Sequence, residues 1–93
     1  MSPDMNDVID NRAAARFELT EQGDTAIAAY TREGDTIVFT HTEVPPALEG
    51  HGVGSRLIAG ALAQVRAAGL KVVPVCAFVA AYLRRHPDAA DLA

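Results

Sequence analysis

The first half of the chain alternates apolar and polar residues with the period of two that is typical of half-buried strands. Phe17 and Leu19, for example, are separated by Glu18 and flanked by other polar residues. Turns that contain glycine and aspartate separate three such segments, so the pattern predicts an antiparallel meander. The predicted strands cover residues 14–20, 25–32 and 36–44. Pro45-Pro46 ends the third strand, because proline has no N–H for a strand ladder.

The second half of the chain has the spacing of amphipathic helices. Apolar residues recur one, three and four positions apart between residues 54 and 67, which predicts a helix. The residues of this apolar stripe are Leu57, Ile58, Ala61, Leu62 and Val65. A nearly continuous apolar run predicts a fourth strand over residues 70–75. A second helix is predicted over residues 78–85, and Pro87 follows its end.

This order of elements predicts the fold class. A strand, a helix and a further strand joined by a right-handed crossover place the third and fourth strands in parallel. Together with the meander they form a mixed sheet, so the fold class is α/β (α+β). A length of 93 residues predicts one domain, 1–93. Residues 1–12 are polar and lack periodicity, so we predict that they form a flexible or loosely docked arm.

Composition and charge then narrow the classes of function. A net charge of −4 disfavours a general nucleic-acid binder, which needs a basic face to neutralise phosphates. The chain has no apolar run long enough to cross a bilayer and no export signal, so we expect a cytoplasmic protein with no membrane partner. The single cysteine excludes an internal disulfide, and the scattered histidines predict no metal site.

The segment Glu49-Gly50-His51-Gly52-Val53-Gly54-Ser55 lies between the third predicted strand and the first predicted helix. Glycines at alternate positions allow backbone N–H groups to point into one concavity and allow a ligand to approach closely. The helix that follows adds the positive end of its dipole, which favours an anion such as a phosphate. Alternatively, the glycines only allow the loop to turn tightly. Walker and Rossmann loops fit this segment poorly, because Gly54 is followed by Ser55-Arg56 rather than by Lys-Ser/Thr, and the segment follows three strands.

Four segments of the chain resemble the GNAT superfamily of acetyl-CoA-dependent N-acetyltransferases, and specifically its minimal single-domain branch. They are the glycine segment 49–55 and the segments His41-Thr42-Glu43-Val44-Pro45, Lys71-Val72-Val73-Pro74-Val75-Cys76 and Tyr82-Leu83-Arg84-Arg85-His86-Pro87. The resemblance implies acetyl-CoA or coenzyme A as the cofactor. The chain differs from the superfamily in having Glu49 where the loop usually opens with Gln or Arg, and in having little sequence before the meander.

The resemblance also assigns cofactor contacts to particular positions. In the superfamily, backbone amides of the glycine loop bind the pyrophosphate of coenzyme A, and the end of the preceding strand pairs with the pantetheine arm. By position, the strand-end contact falls at Val44. The loop contacts fall on Gly50, His51, Gly52, Val53, Gly54 and Ser55.

Four side chains are candidates for the chemistry. Cys76 follows the fourth predicted strand and precedes a helix, and the dipole of that helix favours a thiolate. The resemblance implies that Cys76 lies near the thioester of the cofactor. There it either accepts the acetyl group or only lines the pocket. Tyr82 is a candidate general acid for the departing thiolate, or a core tyrosine with a hydrated hydroxyl. His41 and Glu43 share one face of the third strand, and either is a candidate base for an amine.

Two functional hypotheses follow. The first is an acetyl-CoA-dependent N-acetyltransferase whose acceptor is an amine of a protein, such as a lysine, or of a small molecule. The second is a non-catalytic module that binds coenzyme A or acetyl-CoA. The alternative to both is a structural domain that binds no nucleotide.

Overall fold

The computed structural model describes residues 7–93, which form a five-stranded sheet and two helices. The strands are β1 (Ile9–Asn11), β2 (Arg16–Glu21), β3 (Asp24–Glu33), β4 (Thr36–Glu43) and β5 (Lys71–Pro74). The helices are α1 (Val53–Ala67) and α2 (Ala77–Arg85), and short 3₁₀ helices occur at Pro46–Leu48 and Pro87–Ala89. The strands lie in chain order; all neighbours are antiparallel except β4 and β5, which are parallel. The predicted mixed sheet is confirmed.

The prediction of a flexible arm is wrong for residues 8–11. Strand β1 pairs with β2, and Val8 before it is only 3% exposed. The Val8 side chain packs against α1 at Gly60, where the missing side chain leaves room for it, and Gln64 Nε2 donates to the Val8 carbonyl at 2.7 Å. Burial of this one apolar side chain therefore attaches residues 8–11 to the domain, although the polar residues around Val8 predicted a free segment. Residues 1–6 of the predicted arm lie outside the described residues.

One face of the sheet carries the core. Phe17 faces Ala28 across β2 and β3, and Tyr30 faces Phe39 across β3 and β4, so these buried side chains lie on the same face. The stripe predicted for α1 is almost wholly buried and belongs to the same core. The second face is less covered, since Val38 between buried Ile37 and Phe39 remains half-buried. This strand is therefore fully covered on one face and only partly covered on the other.

A β-bulge interrupts β4. Tyr30 of β3 faces Phe39, but the preceding residue, Ala29, faces His41, so Thr40 has no partner on β3. Such an extra residue reverses the side to which the following side chains point. As a result, Thr42 rather than His41 faces the core side of the sheet.

Strands β4 and β5 part beyond the bulge. Their ladder ends at the Phe39–Pro74 pair, because proline has no N–H. The Cys76 N–H makes the last bond, to the Phe39 carbonyl at 2.8 Å. Strand β4 continues to Glu43, and within residues 7–93 no further strand pairs with this part of its edge. Strands β4 and β5 therefore leave a gap between them, and this gap lies beside the start of α1.

Candidate functional site

The glycine segment forms the turn into α1. Gly50 and Gly52 adopt left-handed backbone conformations, with φ of 82° and 73°, which glycine adopts without strain. Gly52 caps α1 without a side-chain hydrogen bond, and the first bond of the helix runs from the Arg56 N–H to the Gly52 carbonyl at 3.1 Å. The N–H groups of the first turn have no partner within the helix. They and the helix dipole make this end of α1 attractive to an anion.

A cavity of about 380 Å³ opens at this turn. Six of the predicted cofactor residues line it, namely Val44, Gly50, Gly52, Val53, Gly54 and Ser55. Val53 is 1% exposed and also belongs to the core. His51 lies outside this lining, and its N–H donates to the Leu48 carbonyl at 3.3 Å. The prediction that the backbone of His51 binds the cofactor is therefore not supported, because the turn itself uses that donor.

A second, shallower cavity of about 450 Å³ adjoins the first. Thr42, Val44 and Glu49 line both cavities. The second cavity also contains Thr25, Glu43 and Pro45-Pro46. The two cavities therefore share a wall at the end of β4.

Cys76 lies behind this shared wall. It caps the N-terminus of α2, is 8% exposed and lies outside the lining of either cavity. Its Sγ is 3.2 Å from Oγ1 of Thr42, a residue that lines both cavities. Cys76 is therefore separated from the open space of the cavities by Thr42.

The structure does not bring Tyr82 to either cavity. Its ring stacks on His86 with a centroid separation of 4.5 Å, along one side of α2. The neighbouring positions Val79 and Leu83 supply the buried side of the helix. The arrangement agrees better with the alternative of a packed tyrosine than with a general acid at the cleft.

His41 and Glu43 share one face of β4, as the alternation of the strand predicts. His41 Nε2 and Glu43 Oε2 are 2.8 Å apart, and both side chains are mostly exposed. Of the two, Glu43 lines the second cavity. The pair therefore offers a carboxylate at the rim of that cavity with an imidazole to orient it.

Four residues of the first cavity escaped the sequence analysis as site residues: Thr42, Leu48, Glu49 and Phe78. Phe78 is 40% exposed, and its ring lies where a side chain at Gly54 would otherwise be, since a Cβ there would be 2.6 Å from Cζ. Phe78 could have been identified from the sequence, because it is an aromatic residue on the polar side of α2. Thr42 could not have been identified in this way, because the direction of its side chain depends on the β-bulge at Thr40.

A third cavity, of about 280 Å³, lies near the other end of α1, between its last turns and the sheet. Inside it, the Tyr30 hydroxyl donates to Asp10 Oδ1 at 2.6 Å. Burial, together with the Asp10 carboxylate, raises the pKa of Tyr30 to about 12. These groups are hydrogen-bonded to each other, and the cavity is distinct from the two at the glycine segment.

Within residues 7–93, no group of three or more His, Cys, Asp or Glu side chains is arranged to hold a metal ion. Neither described helix has the length and apolar character needed to span a membrane.

The sequence model of the GCN5-related N-acetyltransferase family matches residues 16–92, nearly the whole chain. The chain belongs to this family. A search among curated proteins finds no match. Membership of the GCN5-related N-acetyltransferases agrees with the mixed sheet, the opening between β4 and β5 and the glycine turn before α1. The matched range includes Thr42, Cys76 and all of both cavity linings.

Proposed function

We propose that this GCN5-related protein transfers the acetyl group of acetyl-CoA to an amine. The observation that carries the proposal is the cavity at the start of α1, which meets the open edge of β4 and adjoins a second cavity with a carboxylate at its rim. Such an arrangement offers one place for an anionic acyl donor and another for an amine.

The residues of the first cavity fit coenzyme A. Gly50 and Gly52 present backbone without side chains, and the first-turn N–H groups of α1 are available to a pyrophosphate. The edge of β4 beyond Phe39 has backbone groups free to pair with a pantetheine arm, the role that the family resemblance implies near Val44. Bound there, acetyl-CoA would supply an acetyl group activated as a thioester.

The residues of the second cavity fit an amine acceptor. We propose that Glu43, oriented by His41, removes a proton from the amine so that its nitrogen can attack. The carboxylates of Glu43 and Glu49 also favour a cationic acceptor such as a lysine side chain. Tyr82 has no role in this proposal, since its ring packs against His86.

Substitution of Ser55 tests the cofactor site. Ser55 lines the first cavity from the first turn of α1 and is exposed. We expect coenzyme A and acetyl-CoA to raise the melting temperature of the wild-type protein, because both would bind only the folded state. Ser55→Glu places a negative charge that suits the helix N-terminus but repels a pyrophosphate, so we expect normal stability and loss of the ligand shift.

Ser55→Gln is the matched control, because it adds a similar volume without the charge. We expect it to keep most of the ligand shift. If neither ligand shifts the melting temperature of the wild-type protein at millimolar concentration, the proposed function is wrong.

A module that binds coenzyme A without catalysis is the second candidate. It is favoured by the positions of Cys76 and Tyr82, which lie outside the linings of both cavities. Release of free coenzyme A thiol from acetyl-CoA in the presence of a lysine-containing peptide, at a rate above that of peptide alone, would exclude it. A ligand-induced melting shift without turnover on a panel of amines would favour it.

A further inference from the structure

Thr42 occupies the wall common to the acyl-donor cavity and the acceptor cavity. In a transfer between two reactants, the reacting atoms must meet where the two binding spaces join. The bulge at Thr40 is what points Thr42 toward this place, since it reverses the alternation of β4. Thr42 also carries a hydroxyl, whereas Val44, which lines the same wall, has no side-chain donor.

The contact with Cys76 gives the Thr42 hydroxyl a direction. Oγ1 and Sγ are 3.2 Å apart, and either atom can be the donor. Sulfur is a weak acceptor, so a stronger acceptor on the cavity side of Thr42 draws the hydroxyl hydrogen to itself and leaves Oγ1 to accept from the Cys76 thiol. The hydroxyl hydrogen of Thr42 is then left to point away from Cys76, and the two cavities are the open space beside it.

We propose that Thr42 is a catalytic residue, whose hydroxyl donates a hydrogen bond to the acetyl carbonyl oxygen, and that Cys76 is the residue that positions this hydroxyl. The inference rests on the proposed acetyl transfer and assigns one hydrogen-bond donor to the acetyl carbonyl oxygen. During transfer the amine nitrogen bonds to the acetyl carbon and the carbonyl electron pair moves to oxygen, where Thr42 stabilises the charge. That pair then returns, the bond to sulfur breaks, and coenzyme A leaves as the thiolate.

Thr42 and Cys76 remain covalently unchanged throughout. The proton of the amine goes to Glu43, as in the proposed function, and Thr42 keeps its own. The geometry agrees with this division of roles, because Cys76 is 8% exposed, contacts Thr42 and lies outside the cavity linings. Cys76 therefore acts on the cleft through Thr42 rather than by accepting the acetyl group.

Carbon-13 NMR of acetyl-CoA labelled at the acetyl carbonyl tests the proposal without requiring an identified acceptor. A hydrogen bond to the carbonyl oxygen moves the bound resonance downfield of the free one. We expect this displacement in the wild-type protein and its loss, by half or more, in Thr42→Val, which keeps the shape and removes the hydroxyl. Thr42→Ser should retain it.

Substitutions of Cys76 test the positioning role. Cys76→Ser keeps a donor beside Oγ1 and should retain the displacement, whereas Cys76→Ala should reduce it by less than Thr42→Val does. Turnover with a lysine-containing peptide, where detected, should fall about tenfold or more in Thr42→Val at an unchanged KM for acetyl-CoA. Unacetylated coenzyme A lacks the carbonyl and should bind Thr42→Val as it binds wild type, which controls for folding.

Two results would overturn this assignment while leaving the proposed function intact. One is a bound resonance that is unchanged in Thr42→Val. The other is an acetyl adduct on wild-type protein, seen by intact mass spectrometry, that disappears in Cys76→Ala, since it would make Cys76 the nucleophile. Failure of wild-type protein to bind either ligand would instead overturn the proposed function, and the assignment with it.

Discussion

At the scale of single residues, the surroundings of a side chain can change its pKa. Tyr30 is 8% exposed, and its hydroxyl donates to Asp10 at 2.6 Å inside the third cavity. Ionisation of this phenol would leave a negative charge in a partly buried space beside a carboxylate. Burial first, and Asp10 second, therefore raise the pKa of Tyr30 to about 12.

The alkaline titration of Tyr30 can be measured in isolation, because the chain has two tyrosines and Tyr82→Phe leaves only Tyr30. We expect ultraviolet absorbance of native Tyr82→Phe to show ionisation near pH 12. In urea the same phenol should ionise near the ordinary value of about 10. Asp10→Asn in this background should lower the native midpoint.

The pKa difference of Tyr30 also predicts how stability depends on pH. Between about pH 10 and 12 the unfolded chain releases the proton while the folded protein keeps it, so the free energy of unfolding should fall as pH rises. A native midpoint close to 10 would contradict both the titration and this loss of stability.

At the scale of elements, the short strand β1 is joined to β2 by more than its ladder. Glu18 of β2 accepts from Arg16 Nε at 2.7 Å and from Asn11 Nδ2 of β1 at 3.0 Å. The hydrogen bond from Arg16, and then that from Asn11, lower the pKa of Glu18 below its ordinary value of 4.5. The carboxylate form is thus the one that connects the two strands.

The lowered pKa of Glu18 makes the attachment of β1 sensitive to acid. Its contribution to the free energy of unfolding is fully present above the unfolded pKa of about 4.5, and is lost as pH falls through the lower folded value. Urea unfolding at about pH 7 and about pH 3 should therefore show a smaller acid-induced loss of stability in Glu18→Gln than in wild type.

Glu33→Gln, at the exposed end of β3, is a control for removal of one acidic charge. Amide hydrogen exchange in β1 should accelerate in Glu18→Gln at neutral pH and not in Glu33→Gln. Equal acid sensitivity in wild type and Glu18→Gln would show that this carboxylate does not stabilise the strand pair.

At the scale of the whole molecule, the beginning of the chain is fastened to its middle. Val8 packs against α1 where Gly60 has no side chain, and a Cβ at Gly60 would overlap Cγ2 and Cβ of Val8. Gln64 Nε2, one turn later in α1, donates to the Val8 carbonyl at 2.7 Å. Contacts between residues so distant in sequence fix the edge strand β1 relative to the helix that carries the glycine turn.

Gly60→Ala tests this attachment. Alanine favours a helix over glycine by about 1 kcal/mol, but overpacking against a buried side chain costs about 1–3 kcal/mol. We therefore expect a net loss of up to about 2 kcal/mol in urea unfolding.

Val8→Ala provides the companion variant, because it removes Cγ2, the atom nearest to the new Cβ, and leaves a smaller side chain that can shift to relieve the remaining overlap at its own Cβ. In a double-mutant cycle, Val8→Ala with Gly60→Ala should be more stable than the sum of the single effects predicts. Additive effects would mean that Val8 does not rest on Gly60 in solution.

The sequence alone determined the elements with strong periodicity. The meander, α1, β5 and α2 follow from apolar spacing and from turn residues, and their bounds differ from those predicted by one or two residues. The glycine segment was identifiable because local backbone geometry requires glycine at Gly50 and Gly52. His41 and Glu43 were paired correctly because they are two residues apart on one strand.

Only the tertiary structure decided what depends on distant partners. Val8 is buried because α1 has a glycine opposite it, some fifty positions later, and no local pattern contains that fact. The bulge in β4 is a property of its pairing with β3, and it alone determines that Thr42 faces Cys76 and the cavities. Alternation along a strand predicts the direction of a side chain only while the strand register is regular. Thr42, which lies where the two cavities meet, could therefore not be identified from alternation.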